Sequence, residues 1–117
     1  MLKLTDAIKI YVADKPVDMR KAINGLAILI SDFFKTPAND GSVYVFYNRD
    51  CDRVKCLFWE KNGFVLYHKR LERGRFKFGK NNGIAYLISH HQFEWLLAGL
   101  DFNLMNEFPL LDFTHYF

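Results

Sequence analysis

The dipeptide Asn62-Gly63, set between two runs of alternating polarity, constrains this chain more than any other feature. A type I′ turn needs positive φ at both central residues, and Asn-Gly adopts it readily, so residues 53–59 and 64–70 are predicted to fold back as antiparallel strands. With a two-residue loop at 62–63, Lys61 faces Phe64, Trp59 faces Leu66, Leu57 faces His68, Lys55 faces Arg70 and Arg53 faces Glu72. One face of the ribbon then carries Arg53, Lys55, Leu57, Trp59, Leu66, His68 and Arg70. The other carries Val54, Cys56, Phe58, Val65, Tyr67 and Leu71 and is the better candidate for a core face. A four-residue loop keeps these faces, whereas a three-residue loop scrambles them.

The remaining elements fall around this hairpin. Residues 8–12 read as a short strand, broken by Asp14, Lys15 and Pro16. Asp18 is then a predicted N-cap, with Met19, Ala22, Ile23, Leu26, Ile30 and Phe33 on one helical face and an end near Lys35. Gly25 inside that helix is expected to mark a close helix-to-sheet approach. Residues 43–47 are apolar on both faces, the mark of a central strand covered on both sides. A short strand at 84–87 leads to a last helix with a capping box, Ser89 with Gln92, followed by an apolar stripe of Phe93, Leu96, Leu97 and Leu100. The expected fold is α+β: an antiparallel sheet of about five strands with two helices, in a single domain over residues 1–101. Residues 102–117 form an apolar, acidic C-terminal arm that packs back on the domain, swaps into a homodimer or docks on another protein.

Charge is distributed unevenly. The net charge is +1 over residues 1–48, +6 over 49–80 and −4 over 81–117, the last segment holding no Lys or Arg. A middle this basic calls either for an anionic partner or for pairing with the acidic end. The predicted register sharpens the question, because Lys55 opposite Arg70 is a like-charge pair that is destabilising unless something negative lies between. A phosphate backbone across the strip would supply it, with Arg49, Arg53, Lys55, Lys69, Arg70, Arg73, Arg75 and Lys77 as candidate nucleic-acid contacts. Equally, these side chains splay into water or meet acids of the C-terminal segment. Arg20, Lys21 and Trp59 are candidate partner contacts, and Trp59 and Phe76 are stacking candidates if the nucleic acid is single-stranded, though packing roles suit both.

Motifs for chemistry are missing from the sequence. It contains no Gly-rich phosphate loop, no His-Glu-x-x-His and no nucleophile elbow, and no cofactor is expected. Cys51 and Cys56 lack the second pair that a zinc site needs, and the adjacent His90 and His91 point apart on a helix, so no metal site is expected. The reading is a non-enzyme. The longest apolar stretch, residues 26–30, is too short for a bilayer, and residues 1–9 lack an apolar core of signal-peptide length, so no membrane partner and a cytoplasmic location are expected.

Several blocks carry a resemblance. Asp18-Met19-Arg20-Lys21 with Gly25-Leu26, Val45-Phe46, Asn48-Arg49, Asp52-Arg53-Val54-Lys55, Leu57 with Trp59, Gly63-Phe64, Lys69-Arg70-Leu71-Glu72 and Gly74-Arg75-Phe76 stand in this order, followed by Gln92, Leu96-Leu97 and Gly99-Leu100-Asp101. Together they resemble the TnpB accessory protein of bacterial insertion sequences of family sixty-six, over about residues 5–101; this is not the RNA-guided nuclease of the same name. The resemblance implies a small protein that serves transposition beside a separate, larger transposase holding the catalytic acids. Residues 102–117 extend past the usual end of that pattern, and Gly79-Lys80 stands where relatives tend to have proline. Two roles are compatible with it: binding DNA, at transposon ends, through the basic hairpin face, or docking on the transposase without touching DNA.

Overall fold

A computed structural model describes residues 7–78 and 85–100. The chain order is β1 (Ile10–Val12), α1 (Ile23–Phe34), β2 (Val43–Tyr47), β3 (Arg53–Glu60), β4 (Gly63–Arg70), β5 (Tyr86–Ile88) and α2 (His90–Leu97). The five strands form one sheet in the order β4-β3-β2-β1-β5. β1 and β2 run parallel, joined by the α1 crossover, while the other neighbours are antiparallel. The fold is therefore α+β, as expected, with one parallel pair that was not anticipated. Ile84 at the predicted start of β5, Gly79-Lys80 and the 102–117 arm lie outside the described residues.

β2 is the middle strand, and all five of its residues are buried. Its two faces are covered by different helices. On one side the Phe34 ring of α1 packs against Tyr11, Tyr44 and Phe46, at 5.6, 5.0 and 6.3 Å between ring centres, and Leu26 and Ile30 are fully buried. On the other side lie Val45, Val54 and Cys56, and there the Lys69 ammonium donates to the carbonyl of Leu97 at the end of α2 (2.7 Å). Phe93 and Leu96 are the buried stripe of α2, and its capping box forms as predicted: Ser89 Oγ accepts from the Gln92 amide at 3.0 Å and Gln92 Oε1 accepts from the Ser89 amide at 2.8 Å. Leu100 is half exposed, so the predicted stripe stops short of it.

The hairpin turns one residue earlier than Asn62-Gly63 predicts. Glu60 pairs with Gly63, and the loop is Lys61-Asn62, with Lys61 at φ 52° and the Asn62 amide closing back on the Glu60 carbonyl. The resulting register sets Trp59 against Phe64, Phe58 against Val65, Leu57 against Leu66 and Cys56 against Tyr67. Four consecutive apolar pairs replace the expected Leu57–His68 mismatch, and that cross-strand packing outweighs the turn preference of Asn-Gly. The shift is by two along β4, so side chains keep their predicted faces. Both faces of β3 are buried, however, and Val65 and Tyr67 on the predicted core face are 38% and 40% exposed.

α1 also begins later than predicted. Its N-cap position is Ala22, without a side-chain cap, and it ends at Lys35 in the left-handed region. Asp18 instead forms a tight turn, accepting from the Arg20 amide at 2.9 Å and from its guanidinium at 2.7 Å. Gly25 does not mark a helix-to-sheet approach: the atoms a Cβ would meet belong to the Lys21 stem, at 3.4 Å.

Candidate nucleic-acid interface

Hydrogen bonds gather three separate basic segments at one end of the sheet, where β2 ends, β3 begins and β4 ends. After β1 the chain keeps running along β2, with the Ala13 amide on the Val45 carbonyl (2.9 Å) and the Val17 amide on the Tyr47 carbonyl (2.8 Å). That delivers Asp18–Lys21 to this end. Asn48 shapes the β2–β3 turn: its Oδ1 accepts from the amides of Asp52 and Arg53, and its Nδ2 donates to the Asp52 carboxylate. The segment after β4 is then tied to that turn by the Leu71 amide on the Asp52 carbonyl (2.8 Å) and the Phe76 amide on the Cys51 carbonyl (2.7 Å). Phe76 is buried and Phe78 stacks on Tyr47 at 4.1 Å, which carries residues 71–78 across the end of the sheet.

The eight candidate nucleic-acid contacts separate into classes. Arg49, Arg73, Arg75 and Lys77 are exposed and Arg53 is half-buried, all at this end of the molecule and in no salt bridge among the described residues. Arg70 is there too, but its guanidinium meets Glu72 at 2.9 Å, with both side chains largely in water, an arrangement that contributes little energy. Lys69 points into the α2 layer and holds the Leu97 carbonyl. Lys55 is not on an open strip at all. It is 7% exposed, and its ammonium donates to the carbonyls of Met19 (2.7 Å) and Lys21 (2.8 Å). The like-charge pair predicted for Lys55 and Arg70 falls instead on Arg53 and Arg70, with Lys55 opposite His68.

Lys55 is thus the internal bolt of the site, fastening the Asp18–Lys21 turn over β3. No local pattern announces a lysine that satisfies two carbonyls more than thirty residues away; the apolar neighbours Val54 and Cys56 were the available signal. Of the candidate partner contacts, Lys21 sits exposed at this same end, and Arg20 forks onto Asp18, whose carboxyl is held down to about 2 by that hydrogen bonding. Trp59 does not join them. It lies six residues along β3 from Arg53, about 20 Å away at strand rise, packed edge-on against Phe64 at 5.0 Å. Phe76, being buried, packs and offers no stacking surface.

Cys51, at φ 58° in the turn, has its thiol pushed up by burial against the lowering pull of Arg75. Cys56 is fully buried, with its thiol pushed up as well. Among the described residues no group of three His, Cys, Asp or Glu side chains could hold a metal ion, and no helix is long and apolar enough to cross a membrane.

Comparison with known proteins agrees with the resemblance carried by these blocks. Uncharacterized protein y4jC of Sinorhizobium fredii is 34% identical over 110 residues, covering 94% of each chain. Uncharacterized protein y4hO of the same organism is 33% identical over 101 residues, 86% of this chain and 88% of the relative. No solved structure matches. A family model described as IS66 Orf2-like protein matches residues 8–107, which reaches six residues into the segment expected to lie past the family's usual end. With turn, hairpin and basic segment all inside that match, the chain belongs to the IS66 Orf2-like family, which is associated with insertion sequences.

Proposed function

We propose that this protein is a non-catalytic accessory factor in transposition that binds DNA through the cationic end of its sheet. The observation that carries the reading is convergence: Lys21, Arg49, Arg53, Arg73, Arg75 and Lys77 come from three segments far apart in sequence, and backbone hydrogen bonds hold those segments side by side. None of the six is in a salt bridge among the described residues. Such a surface attracts a polyanion by releasing its counterions, whatever its base sequence. This refines the expected hairpin face into an end-on rim, because Lys55 and Lys69 are engaged internally.

The test is fluorescence anisotropy of the full chain with labelled duplexes, one carrying transposon-end sequence and one unrelated, between 50 and 200 mM salt. Neutralising five or six phosphates gives a slope of log affinity on log salt of about −4.5 to −5.4. Absence of binding at low salt overturns the proposal. A second reading, docking on the separate transposase, is favoured by β4, the edge strand among the described residues, eight residues long with Val65 and Tyr67 partly exposed. Unchanged co-purification with the transposase after Val65→Lys and Tyr67→Lys would remove it.

A further inference from the structure

The register of β3 and β4 stacks two rungs of basic residues on one face: Arg53 directly opposite Arg70, and Lys55 directly opposite His68. Side chains so placed have Cβ atoms about 4.5–5.5 Å apart, and like charges there repel unless an anion intervenes. The acids within reach do not fill that role. Glu72 accepts from Arg70 at 2.9 Å with both side chains largely in water, and Asp52 acts on Arg70 while its carboxylate accepts from Asn48. On the α1 side the neighbouring turn brings Arg20, Lys21 and Asp18, and Asp18 is committed to Arg20. Among the described residues β4 is an edge strand, so no further strand there flanks His68.

We propose that Arg53, His68 and Arg70 form a single seat for one backbone phosphate of the bound DNA. Lys55, buried and occupied by two carbonyls, lends the seat its charge without contact. Two guanidinium groups and an imidazolium match the oxygens of a phosphodiester with charge-assisted hydrogen bonds. His68 is exposed to receive it. In the free protein its imidazole is held low by burial first and then by Lys55, Arg53 and Arg70. A phosphate bound among these cations reverses that, so His68 takes up a proton as DNA binds and affinity rises as pH falls.

This inference rests on the DNA-binding reading, and two measurements separate their failures. The first is an NMR titration of the His68 ring in the full chain, alone, with a dithymidine carrying one phosphodiester, and with duplex DNA. The seat predicts that both ligands raise the midpoint and that Arg53→Gln/Arg70→Gln removes the effect; an unmoved midpoint with either ligand bound overturns it. The second compares anisotropy at pH 8 and pH 5.5 for wild type and His68→Gln. Wild type should gain several-fold more affinity than the variant. Equal gains in the two proteins overturn the seat while leaving DNA binding intact, whereas no DNA binding in either protein overturns the functional reading, and the dithymidine arm still decides the seat.

Discussion

Replacing Lys55 by Met removes the donor from two carbonyls at once. Met19 and Lys21 would lose hydrogen bonds of 2.7 and 2.8 Å in a place where Lys55 is only 7% exposed. Each carbonyl left unsatisfied in this part-buried place costs up to about 1–3 kcal/mol, for a gross loss of at most roughly 2–6 kcal/mol. Two effects oppose it: the ammonium no longer has to leave water, and the methionine side chain buries a comparable apolar stem. A net destabilisation of about 2 kcal/mol follows, which in a chain of this size lowers Tm by roughly 8 °C. Thermal and urea melts followed by far-UV circular dichroism measure it. Exchange of the Lys21 amide, bonded to the Asp18 carbonyl at 3.1 Å, should accelerate in parallel. A Lys55→Met protein melting within about 1 °C of wild type would refute the idea that this lysine fastens the turn.

Three further outcomes are expected. Ser89→Ala removes the cap of α2 and should destabilise the fold by about 1 kcal/mol in a urea melt, with Ser89→Asn close to neutral. Lys61→Gly relieves a non-glycine residue at φ 52° and should stabilise by about 0.5–1 kcal/mol, measured the same way; a loss of stability would mean the turn depends on the lysine side chain. His68, whose folded pKa lies below the ordinary value near 6.5, favours the folded state in its neutral form. Its contribution is full above about pH 6.5 and is lost as pH falls through and below that value, so wild type should lose more stability than His68→Gln between pH 7.5 and 5. Equal losses in paired melts would deny the lowered pKa.

The parts of this fold that were legible in the sequence are those set by local chemistry. Val43 to Tyr47 is apolar on both faces and proved to be the doubly covered central strand. Ser89 and Gln92 announced their helix start by spacing alone. The misreadings arose where a distant group overrode a local preference. A helix starting after Asp18 would use the carbonyls of Met19 and Lys21 for its own amides, and Lys55 occupies both. Asn62-Gly63 favours a turn, yet four apolar cross-strand pairs fix the register one turn position away. The candidate site was legible as a composition, an excess of cations between residues 49 and 80, but not as a place. Its location depends on two amide-to-carbonyl bonds, Leu71 to Asp52 and Phe76 to Cys51, that no side-chain pattern encodes.

The central claim is that charge at this end of the sheet, and not charge in general, engages DNA. The direct measurement is the salt slope of duplex binding for Arg73→Gln/Arg75→Gln beside Lys35→Gln/Lys61→Gln, two exposed lysines at the end of α1 and the tip of the hairpin. Each pair removes the same charge. The rim pair should flatten the slope by about 1.8, two phosphates' worth, while the control pair leaves it unchanged. Equal flattening by both pairs would contradict the account.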